Sequence, residues 1–378
     1  MIPLSVPNIN GNEWKYIKDC LDTNWVSSVG AYVDKFEQSM AAYTGARFAI
    51  STVNGTAALH ISLLLSGVQQ GDLVIVPNIT FIASVNSIRY MSANPLLIDV
   101  DPATWQMDLG LLEKFLRSST SVENGKCVHN SDKRVIRAIM PVHVLGNMCD
   151  MDRLTALASE FHLALIEDAT ESLGSTYKEK HSGRFGRFGC FSYNGNKIIT
   201  TGGGGMIITD NEELAKKAKH LTTQAKSDPF EYIHDEIGYN YRLVNVLAAM
   251  GLAQMESLEG FLQRKKEITD HYNTELSAVS GICFQEITKD VAPNNWLYTV
   301  TADKQEELIA HLTKNEIQVR PFWVPMNRLK MFARDLYITE NDHSQKVYKN
   351  SLSLPCSTGI TNSELEFVVK KIKEVYNH

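Results

Sequence analysis

Lys197 lies in the segment of the chain that most strongly indicates covalent chemistry. It follows an apolar strand pattern at Cys190–Ser192 and precedes four consecutive glycines at 202–205. These glycines add no side chains to a core, but they let the backbone pass close to a bulky group. A lysine enclosed there is deprotonated by desolvation and can attack an aldehyde to form a Schiff base. The alternative is an ordinary solvated surface lysine.

An acidic pair ends a second apolar pattern. The predicted strand Ala164–Glu167 runs directly into Asp168, and ligands of open α/β sheets bind at the carboxyl ends of the strands. A carboxylate buried at such a position needs a cation or hydrogen-bond donors to stay charged. A protonated pyridine nitrogen would serve. The alternative is an exposed loop acid at the N-terminus of a helix.

A third segment, Val53–Leu59, joins the predicted strand Phe48–Thr52 to the predicted helix Thr56–Ser66. A tight glycine turn that enters a helix presents backbone N–H groups and the positive end of the helix dipole, which suit a phosphate. Thr56 adds a hydroxyl donor. The alternative is a simple turn with an N-cap. Taken together, a phosphate site, a carboxylate for a ring nitrogen and a lysine for an aldehyde indicate pyridoxal 5′-phosphate (PLP) as the cofactor.

The elements around these candidates follow the pattern of parallel α/β units, in which apolar β-branched runs alternate with amphipathic stretches. The predicted strands are Phe48–Thr52, Leu73–Pro77, Pro95–Val100, Val135–Val142, Ala164–Glu167, Cys190–Ser192 and Gly205–Thr209. The predicted helices between them include Thr56–Ser66, Phe81–Met91, Met151–Phe161 and Glu212–Gln224.

The pattern changes towards the C-terminus, where Leu243–Lys266 predicts a long helix followed by shorter elements. We therefore expect two parts: a large α/β domain with an N-terminal arm over 1–245, and a connecting helix with a smaller α+β domain over 246–378. The polar, aperiodic residues 118–134 predict a surface insertion. The proline-containing stretches 293–296 and 320–325 predict loops or edge segments.

Composition excludes several classes of function. The 378 residues are 44% hydrophobic and 21% charged, with a net charge of −6, so we expect a globular protein and not a general nucleic-acid binder. No apolar run approaches the roughly 20 residues that span a bilayer, and the N-terminus does not resemble a secretory signal. Six cysteines without a CxxC pair predict free thiols in a reducing cytoplasm. No histidines have zinc-site spacing, so we expect no metal.

The chain resembles the fold-type-I PLP-dependent aminotransferases of the DegT/StrS class, which aminate keto-sugars attached to nucleotides. The resemblance covers nearly the whole chain, and its segments occur in family order. They are IPLSVPNINGNEWKYI, DTNWVSSVGAYVDKFE, NGTAALH, VPNITFIASVNSI, PVHVLGNMCDMD, EDATESLGSTY, FSYNGNKIITTGGGGMI, GYNYRL and VRPFW. It implies a large PLP-binding α/β domain and a smaller C-terminal α+β domain.

The resemblance implies a role for each residue that faces the cofactor ring. Lys197 matches the lysine that forms the Schiff base with PLP and later moves a proton. Asp168 matches the carboxylate that keeps the pyridine nitrogen protonated, and Phe81 occupies the aromatic position that stacks on the ring. Glu171 stands where Gln or His is common, near the 3-oxygen of the cofactor. An ionised acid there would be repelled by a phenolate.

The resemblance also implies a phosphate site that two subunits share. Thr56, Ala57 and Ser192 match phosphate ligands, and Asn240 in GYNYRL matches a phosphate contact made from the partner subunit. We therefore expect a homodimer with shared active sites.

The substrate implied by the nearest subgroup, that of bacillosamine and legionaminic acid pathways, is a UDP-linked 2-acetamido-4-keto-6-deoxy sugar, with L-glutamate as amino donor. One departure is Met326-Asn327, where a Met-His pair is expected. Alternatives are a 3-keto sugar, a GDP- or dTDP-linked sugar, and a regulatory homologue without turnover. Lys197 opposes the last, and also opposes the deoxygenating relatives, which have His at that position. The candidate contacts for sugar or nucleotide, with ordinary packing or capping as the alternative, are Trp25, His143, Arg320 and Trp323.

Overall fold

A computed structural model describes residues 1–228 and 230–376 of the chain. The helices are α1 (Glu13–Asp22), α2 (Ala31–Thr44), α3 (Gly55–Leu65), α4 (Ile82–Tyr90), α5 (Leu109–Ser119), α6 (Met151–Glu160), α7 (Glu212–Thr222), α8 (Asn245–Leu276), α9 (Gln305–Lys314), α10 (His343–Asn350) and α11 (Asn362–Tyr376). Short 3-10 turns occur at Val144–Gly146 and Met326–Arg328.

The strands are, in chain order, β1 (Phe48–Thr52), β2 (Leu73–Pro77), β3 (Asn94–Ile98), β4 (Thr120–Glu123), β5 (Lys126–His129), β6 (Val135–Ile139), β7 (Ala164–Asp168), β8 (Thr176–Tyr177), β9 (Lys180–His181), β10 (Phe188–Ser192), β11 (Gly205–Thr209), β12 (Lys226–Asp228), β13 (Ile233–His234), β14 (Ile282–Phe284), β15 (Val291–Ala292), β16 (Tyr298–Ala302), β17 (Arg320–Pro321), β18 (Leu336–Ile338) and β19 (Ser351–Leu354).

The large sheet has the strand order β1-β11-β10-β7-β6-β2-β3-β18. From β10 to β18 neighbouring strands are parallel, and β11 is antiparallel to both β10 and β1. All five residues of β2 and of β11 are buried, as expected for strands covered on both faces. The α/β fold predicted from the sequence is therefore confirmed. Because the parallel strands end at the same edge, Asp168 at the end of β7 lies beside Cys190, two residues before the end of β10.

The predicted strands and helices agree with the structure to within a few residues, with two informative differences. The helix predicted over Leu243–Lys266 continues to Leu276, because the amphipathic pattern persists beyond the apparent end. Residues 118–134, predicted as an irregular insertion, instead contain the β4–β5 hairpin, which pairs with β6. This hairpin lies off the main strand path, where polar side chains can face solvent.

A smaller antiparallel sheet has the order β14-β16-β19-β17, and α9 and α11 pack beside it. Its core contains the buried side chains of Val300, Leu308, Leu352 and Val368. The edge position of β17 confirms the edge segment predicted at 320–325. Strand β18, also from the C-terminal part, joins the large sheet instead. The division at residue 245 stays a prediction, and residues 377 and 378 lie outside the described part.

Three further expectations concern thiols, membranes and metals. All six cysteines are free, and only Cys283 is exposed. Within residues 1–228 and 230–376, no helix combines the length and apolar character that crossing a membrane requires. One group of possible metal ligands in the same residues, His220, Asp235 and Glu236, lies near the surface, and exposed groups of this kind are common without an ion.

Asp99, just after β3, connects the large sheet to the start of α10. Its carboxylate accepts hydrogen bonds from the Thr339 hydroxyl at 2.6 Å and from the backbone N–H groups of His343 and Ser344, each at 2.8 Å. Burial alone would raise the pKa of Asp99, but the hydrogen bonds from Ser344 and Thr339 outweigh it, and the pKa is lowered.

We expect Asp99→Asn to lower the free energy of unfolding by about 2–4 kcal/mol at neutral pH. The NH₂ group of the new amide would face the Thr339 hydroxyl or the His343 and Ser344 N–H groups, which are donors themselves, so hydrogen bonds would be lost. Because the pKa of Asp99 is lower in the folded protein than in the unfolded chain, its carboxylate stabilises the fold at pH values above the unfolded pKa of about 3.9. This contribution is lost as the pH falls through the folded pKa. The variant should therefore lose less stability than the wild type between neutral pH and about pH 3. Urea unfolding at both pH values measures this.

The control for this prediction is Asp152→Asn, which removes an exposed acid paired with Lys178. We expect it to change stability by less than about 0.5 kcal/mol. Equal stability losses in the two variants would contradict the role of Asp99.

Candidate active site

A cavity of about 440 Å³ opens at the carboxyl ends of β7 and β10 and is closed on the far side by β17 and the segment after it. Eight of the twelve candidate residues named from the sequence line it. These eight are Thr56, Phe81, Asp168, Glu171, Ser192, Lys197, Arg320 and Trp323.

The loop from 193 to 204 carries Lys197 into the cavity. Its ends are joined because the Tyr193 N–H donates to the Gly204 carbonyl at 2.9 Å and the Thr201 N–H donates to the Tyr193 carbonyl at 3.0 Å. Gly202 takes a φ of 77°, which favours glycine. A Cβ at Gly205 would overlap the backbone of Asn54, so this glycine allows β11 to pass close to the start of α3.

The Lys197 amine lies between a carboxylate and an aromatic ring. Its Nζ is 3.9 Å from Glu171 Oε1 and 3.9 Å from the centroid of the Trp296 ring. Burial lowers the pKa of Lys197 below its usual range, while the negative charges of Glu171 and Asp168 oppose that shift. The cavity therefore favours the neutral, nucleophilic amine more than water does.

Glu171 is a buried acid with one fixed oxygen and one that faces Lys197. Its Oε2 accepts a hydrogen bond from the Leu145 N–H at 2.9 Å, and Leu145 is held with a φ of 61°. Burial raises the pKa of Glu171 to about 7, although the Lys197 charge and the Leu145 N–H act in the opposite direction. The group can therefore gain or lose a proton near neutral pH.

Asp168 is a buried carboxylate at the end of β7. The Ser84 hydroxyl donates to its Oδ2 at 2.6 Å, and the Thr170 N–H donates to its Oδ1 at 3.2 Å. Ser84 itself lines the cavity from α4, which begins just after Phe81. Two donors therefore keep this carboxylate in place, as a buried polar group requires.

The N-terminus of α3 forms another wall of the cavity. Asn54 is the N-cap, and Gly55 and Thr56 follow it along the wall. A Cβ at Gly55 would lie 2.9 Å from the Ser192 Cβ, so glycine brings the helix start close to the end of β10. The first N–H groups of a helix have no partners within it, and with the Ser192 and Thr56 hydroxyls they make a set of donors suited to a phosphate.

The C-terminal part supplies an aromatic wall that sequence reasoning located only in part. Trp296, in the PNNW stretch, stacks against Trp323 with ring centroids 6.4 Å apart, and Trp323 stacks on Phe322 at 4.9 Å. The indole N–H of Trp296 donates to the Asn196 carbonyl at 2.6 Å, and its backbone N–H donates to Asn294 Oδ1 at 3.0 Å.

Several lining residues were not identified from the sequence, among them Asn54, Ser84, Asn194, Asn196 and Trp296. Asn196 and Trp296 gave a signal, since one adjoins Lys197 and the other lies in a proline-bounded loop. Ser84 gave none, because a serine in the first turn of a helix is commonplace.

Four candidates lie outside the cavity lining. The Ala57 N–H donates to Asn54 Oδ1 at 2.8 Å, so the N-cap already uses it. His143 is fully buried in the core. Its Nε2 lies 3.0 Å from Glu167 Oε2, so the imidazole already has a polar partner there. Trp25 is 55% exposed, and its carbonyl binds the Asn245 side chain. Asn240 is exposed beside Thr223. Neither His143 nor Trp25 lines the cavity of this chain, and their contacts with a sugar stay a prediction.

Asn327, the departure from the expected Met-His pair, has a partner in the large sheet. Its backbone N–H donates to Asn78 Oδ1 and its side-chain oxygen accepts from Asn78 Nδ2, both at 2.9 Å. Asn78 is fully buried just after β2. The two hydrogen bonds connect the segment after Trp323 to the large sheet. An asparagine suits this position because its amide and backbone can both accept from and donate to the Asn78 amide.

The cavity fits the cofactor that the sequence predicts. Its volume lies within the range of about 300–1,000 Å³ for small-molecule sites. It combines an amine, a buried carboxylate and a helix N-terminus with two hydroxyl donors, which match the aldehyde, ring nitrogen and phosphate of PLP. Phe81, 55% exposed, offers a ring face on the same wall.

Comparison with known proteins identifies the family. Residues 7–373 match the DegT/DnrJ/EryC1/StrS aminotransferase family. The chain is 36% identical to the GDP-perosamine synthase of Escherichia coli O157:H7, over 100% of this chain and 99% of that protein. It is 36% identical to the GDP-perosamine synthase of Caulobacter vibrioides, over 99% and 98%. Spr1654 of Streptococcus pneumoniae, solved in a PLP form, is 26% identical with a TM-score of 0.89, over 100% and 98%. The chain therefore belongs to the DegT/DnrJ/EryC1/StrS family of PLP-dependent, fold-type-I aminotransferases.

Proposed function

We propose that the protein transfers the amino group of L-glutamate to C4 of a nucleotide-linked 4-keto-6-deoxy sugar. The observation that supports this most strongly is the placement of the Lys197 amine, 3.9 Å from Glu171 and 3.9 Å from the Trp296 ring, in a cavity that also contains Asp168. Membership of a family of sugar aminotransferases supports amino transfer as the reaction. The desolvated lysine of the site supports the same reaction class.

The proposed roles follow the walls of the cavity. When bound, PLP supplies an aldehyde carbon that accepts and returns the amino group and a ring that withdraws electrons. Asp168 would bind the ring nitrogen, and Phe81 would lie against the ring. Thr56 and Ser192, with the N-terminus of α3, would bind the phosphate. Lys197 would hold the aldehyde carbon and move the proton during amino transfer.

The nucleotide we favour is GDP. The resemblance implied a UDP-linked 2-acetamido sugar, but two close relatives of this chain carry the name GDP-perosamine synthase. A GDP-linked 4-keto-6-deoxy sugar is therefore the first candidate and the UDP-linked acetamido sugar the second. Arg320, on the cavity wall, offers a cation for the diphosphate that both share.

The decisive experiment is a panel of GDP-, UDP- and dTDP-linked 4-keto-6-deoxy sugars with L-glutamate, in which release of 2-oxoglutarate is followed. We expect turnover with the GDP-linked sugar and a visible absorbance of bound PLP. Lys197→Ala should abolish turnover, because only the lysine can hold the cofactor aldehyde covalently. Preference for the UDP-linked sugar would overturn the nucleotide assignment, and full activity of Lys197→Ala would overturn the reaction class.

We expect Asp168→Asn to bind PLP but to transfer amino groups about 100-fold more slowly or worse, because it removes the negative charge opposite the ring nitrogen. Circular dichroism and bound-PLP absorbance establish that the variant is folded and loaded. Asp152→Asn, which removes an exposed acid far from the cavity lining, serves as the control. Normal turnover of Asp168→Asn would show that this carboxylate is structural.

We further propose that the working unit is a homodimer in which Asn240 contacts the phosphate in the partner's cavity. Asn240 is exposed and outside its own cavity lining. The neighbouring hairpin exposes Phe230, Tyr232 and Ile237 to 89%, 71% and 85%. Large exposed apolar side chains, where they form one patch, are typical of protein–protein contacts.

Mixing two inactive variants tests the shared site. We expect Lys197→Ala and Asn240→Glu chains to recover partial activity when mixed, because one of the two sites in a mixed dimer draws only intact residues. The acidic replacement is chosen because it repels a phosphate. Activity is measured after co-refolding, and sedimentation verifies that mixed dimers form. An active monomer, or mixed dimers without activity, would contradict the proposal.

We place this activity in the cytoplasm. All six cysteines are free thiols, five of them buried, and free thiols are typical of a reducing compartment.

A further inference from the structure

We propose that Glu171 is the proton acceptor for Lys197: it takes the proton that the lysine releases when its amine becomes a nucleophile, and holds it while the lysine is uncharged. The proposal rests on the function proposed above, because that function explains why the enzyme needs Lys197 as a free amine. The proton transfer itself is a property of this chain alone and can be tested without sugar or cofactor.

The first support is geometric. Glu171 Oε1 is 3.9 Å from Lys197 Nζ, and within the described residues it belongs to the one carboxylate that comes within 4.0 Å of that amine. Its other oxygen is fixed by the Leu145 N–H. The separation exceeds a hydrogen bond by about one ångström, so the transfer requires the flexible lysine side chain to move closer by that amount.

The second support is burial. Both side chains are largely removed from water, with 13% of the Lys197 side chain and 1% of the Glu171 side chain exposed. Separate charges are expensive at such a place, whereas a neutral pair or an ion pair is tolerated. A proton that leaves Lys197 for solvent would strand a buried carboxylate without a cation. A proton that moves to Glu171 leaves both groups neutral.

The other charged groups on the cavity wall are less suited to this task. They are Asp168 and Arg320. Asp168 already accepts from the Ser84 hydroxyl and the Thr170 N–H, so each of its two oxygens already has a donor. Arg320 cannot accept a proton at accessible pH. From the C-terminal wall, Lys197 meets the face of Trp296, which carries no proton to exchange.

The step balances without a further reactant. Lys197–NH₃⁺ and Glu171–COO⁻ become Lys197–NH₂ and Glu171–COOH, as one N–H bond breaks and one O–H bond forms. No electrons are transferred to or from another group. The reverse step returns the proton when the amine is released, so the proton stays in the cavity during each half of a transfer cycle.

Infrared spectroscopy of Lys197→Met tests whether Glu171 can hold a proton in the buried site. Without the lysine charge, burial should keep Glu171 protonated at neutral pH, so the C=O stretch of a protonated carboxyl should appear. It should be absent from the double variant Lys197→Met/Glu171→Gln. The matched control is Lys219→Met, since Lys219 pairs with Glu37 at 2.6 Å outside the cavity. Glu37 also accepts from the Ser51 N–H and hydroxyl, so removal of its lysine partner should add no such band.

A second measurement reads the lysine in the otherwise intact site. Competitive acetylation by acetic anhydride, followed by mass spectrometry across pH, gives the midpoint at which each lysine becomes reactive. Glu171→Gln removes the negative charge that holds the proton on Lys197, so its midpoint should fall by at least about one pH unit. The midpoint of exposed Lys216 should not move.

Two results would overturn the proposal: no protonated-carboxyl band in folded Lys197→Met, or an unchanged Lys197 midpoint in Glu171→Gln. If Lys197→Met fails to fold, as judged by circular dichroism, the acetylation experiment decides alone. Neither measurement uses sugar, glutamate or PLP, so a failed sugar panel would leave both results standing and identify the proposed function as the error.

Discussion

An amine attacks a carbonyl only when it has lost its proton, and this requirement governs the arrangement of the whole site. Water stabilises the charged ammonium, so the amine of Lys197 must be withdrawn from water to become nucleophilic. Withdrawal has a cost, because a buried charge without a partner is unstable. The chain meets both demands with one enclosed lysine, one buried acid at 3.9 Å and one aromatic face at 3.9 Å. The remaining elements keep these three groups at those distances.

The parallel sheet sets the positions on one side of that arrangement. Strands β7 and β10 are neighbours and parallel, so Asp168 at the end of one lies beside the end of the other, from which the Lys197 loop departs. The start of α3 approaches the same point, because Gly55 and Gly205 permit backbone contacts that a Cβ would prevent. The charge-bearing residues are thus placed by topology and the phosphate donors by close packing of small residues.

From the sequence, most residues of this side of the site could be identified, whereas on the other side Arg320 and Trp323 were identified and Trp296 was not. Strand ends and glycine turns are local patterns, so they identify Lys197, Asp168 and Thr56 without any knowledge of long-range contacts. Trp296 could not be identified in this way, because its position depends on contacts across about a hundred residues: its indole N–H donates to the Asn196 carbonyl. The β4–β5 hairpin was missed for the same reason, since its pairing with β6 is tertiary. For His143 the sequence left a core role open beside a pocket role, and the structure places its side chain in the core against Glu167.

The C-terminal wall explains why the site needs more than the large sheet. Trp296 is held at its backbone by Asn294 and at its ring by Asn196, and the segment after Trp323 is fastened to β2 through the Asn78–Asn327 pair. The Trp296–Asn196 and Asn78–Asn327 bonds join residues far apart in sequence. The side-chain amide of Asn78 both donates to and accepts from Asn327. An aromatic face held in this way excludes water from the lysine without adding another group that titrates. Burial and the two neighbouring carboxyls together therefore set the protonation of Lys197, and Glu171 is the nearer carboxyl.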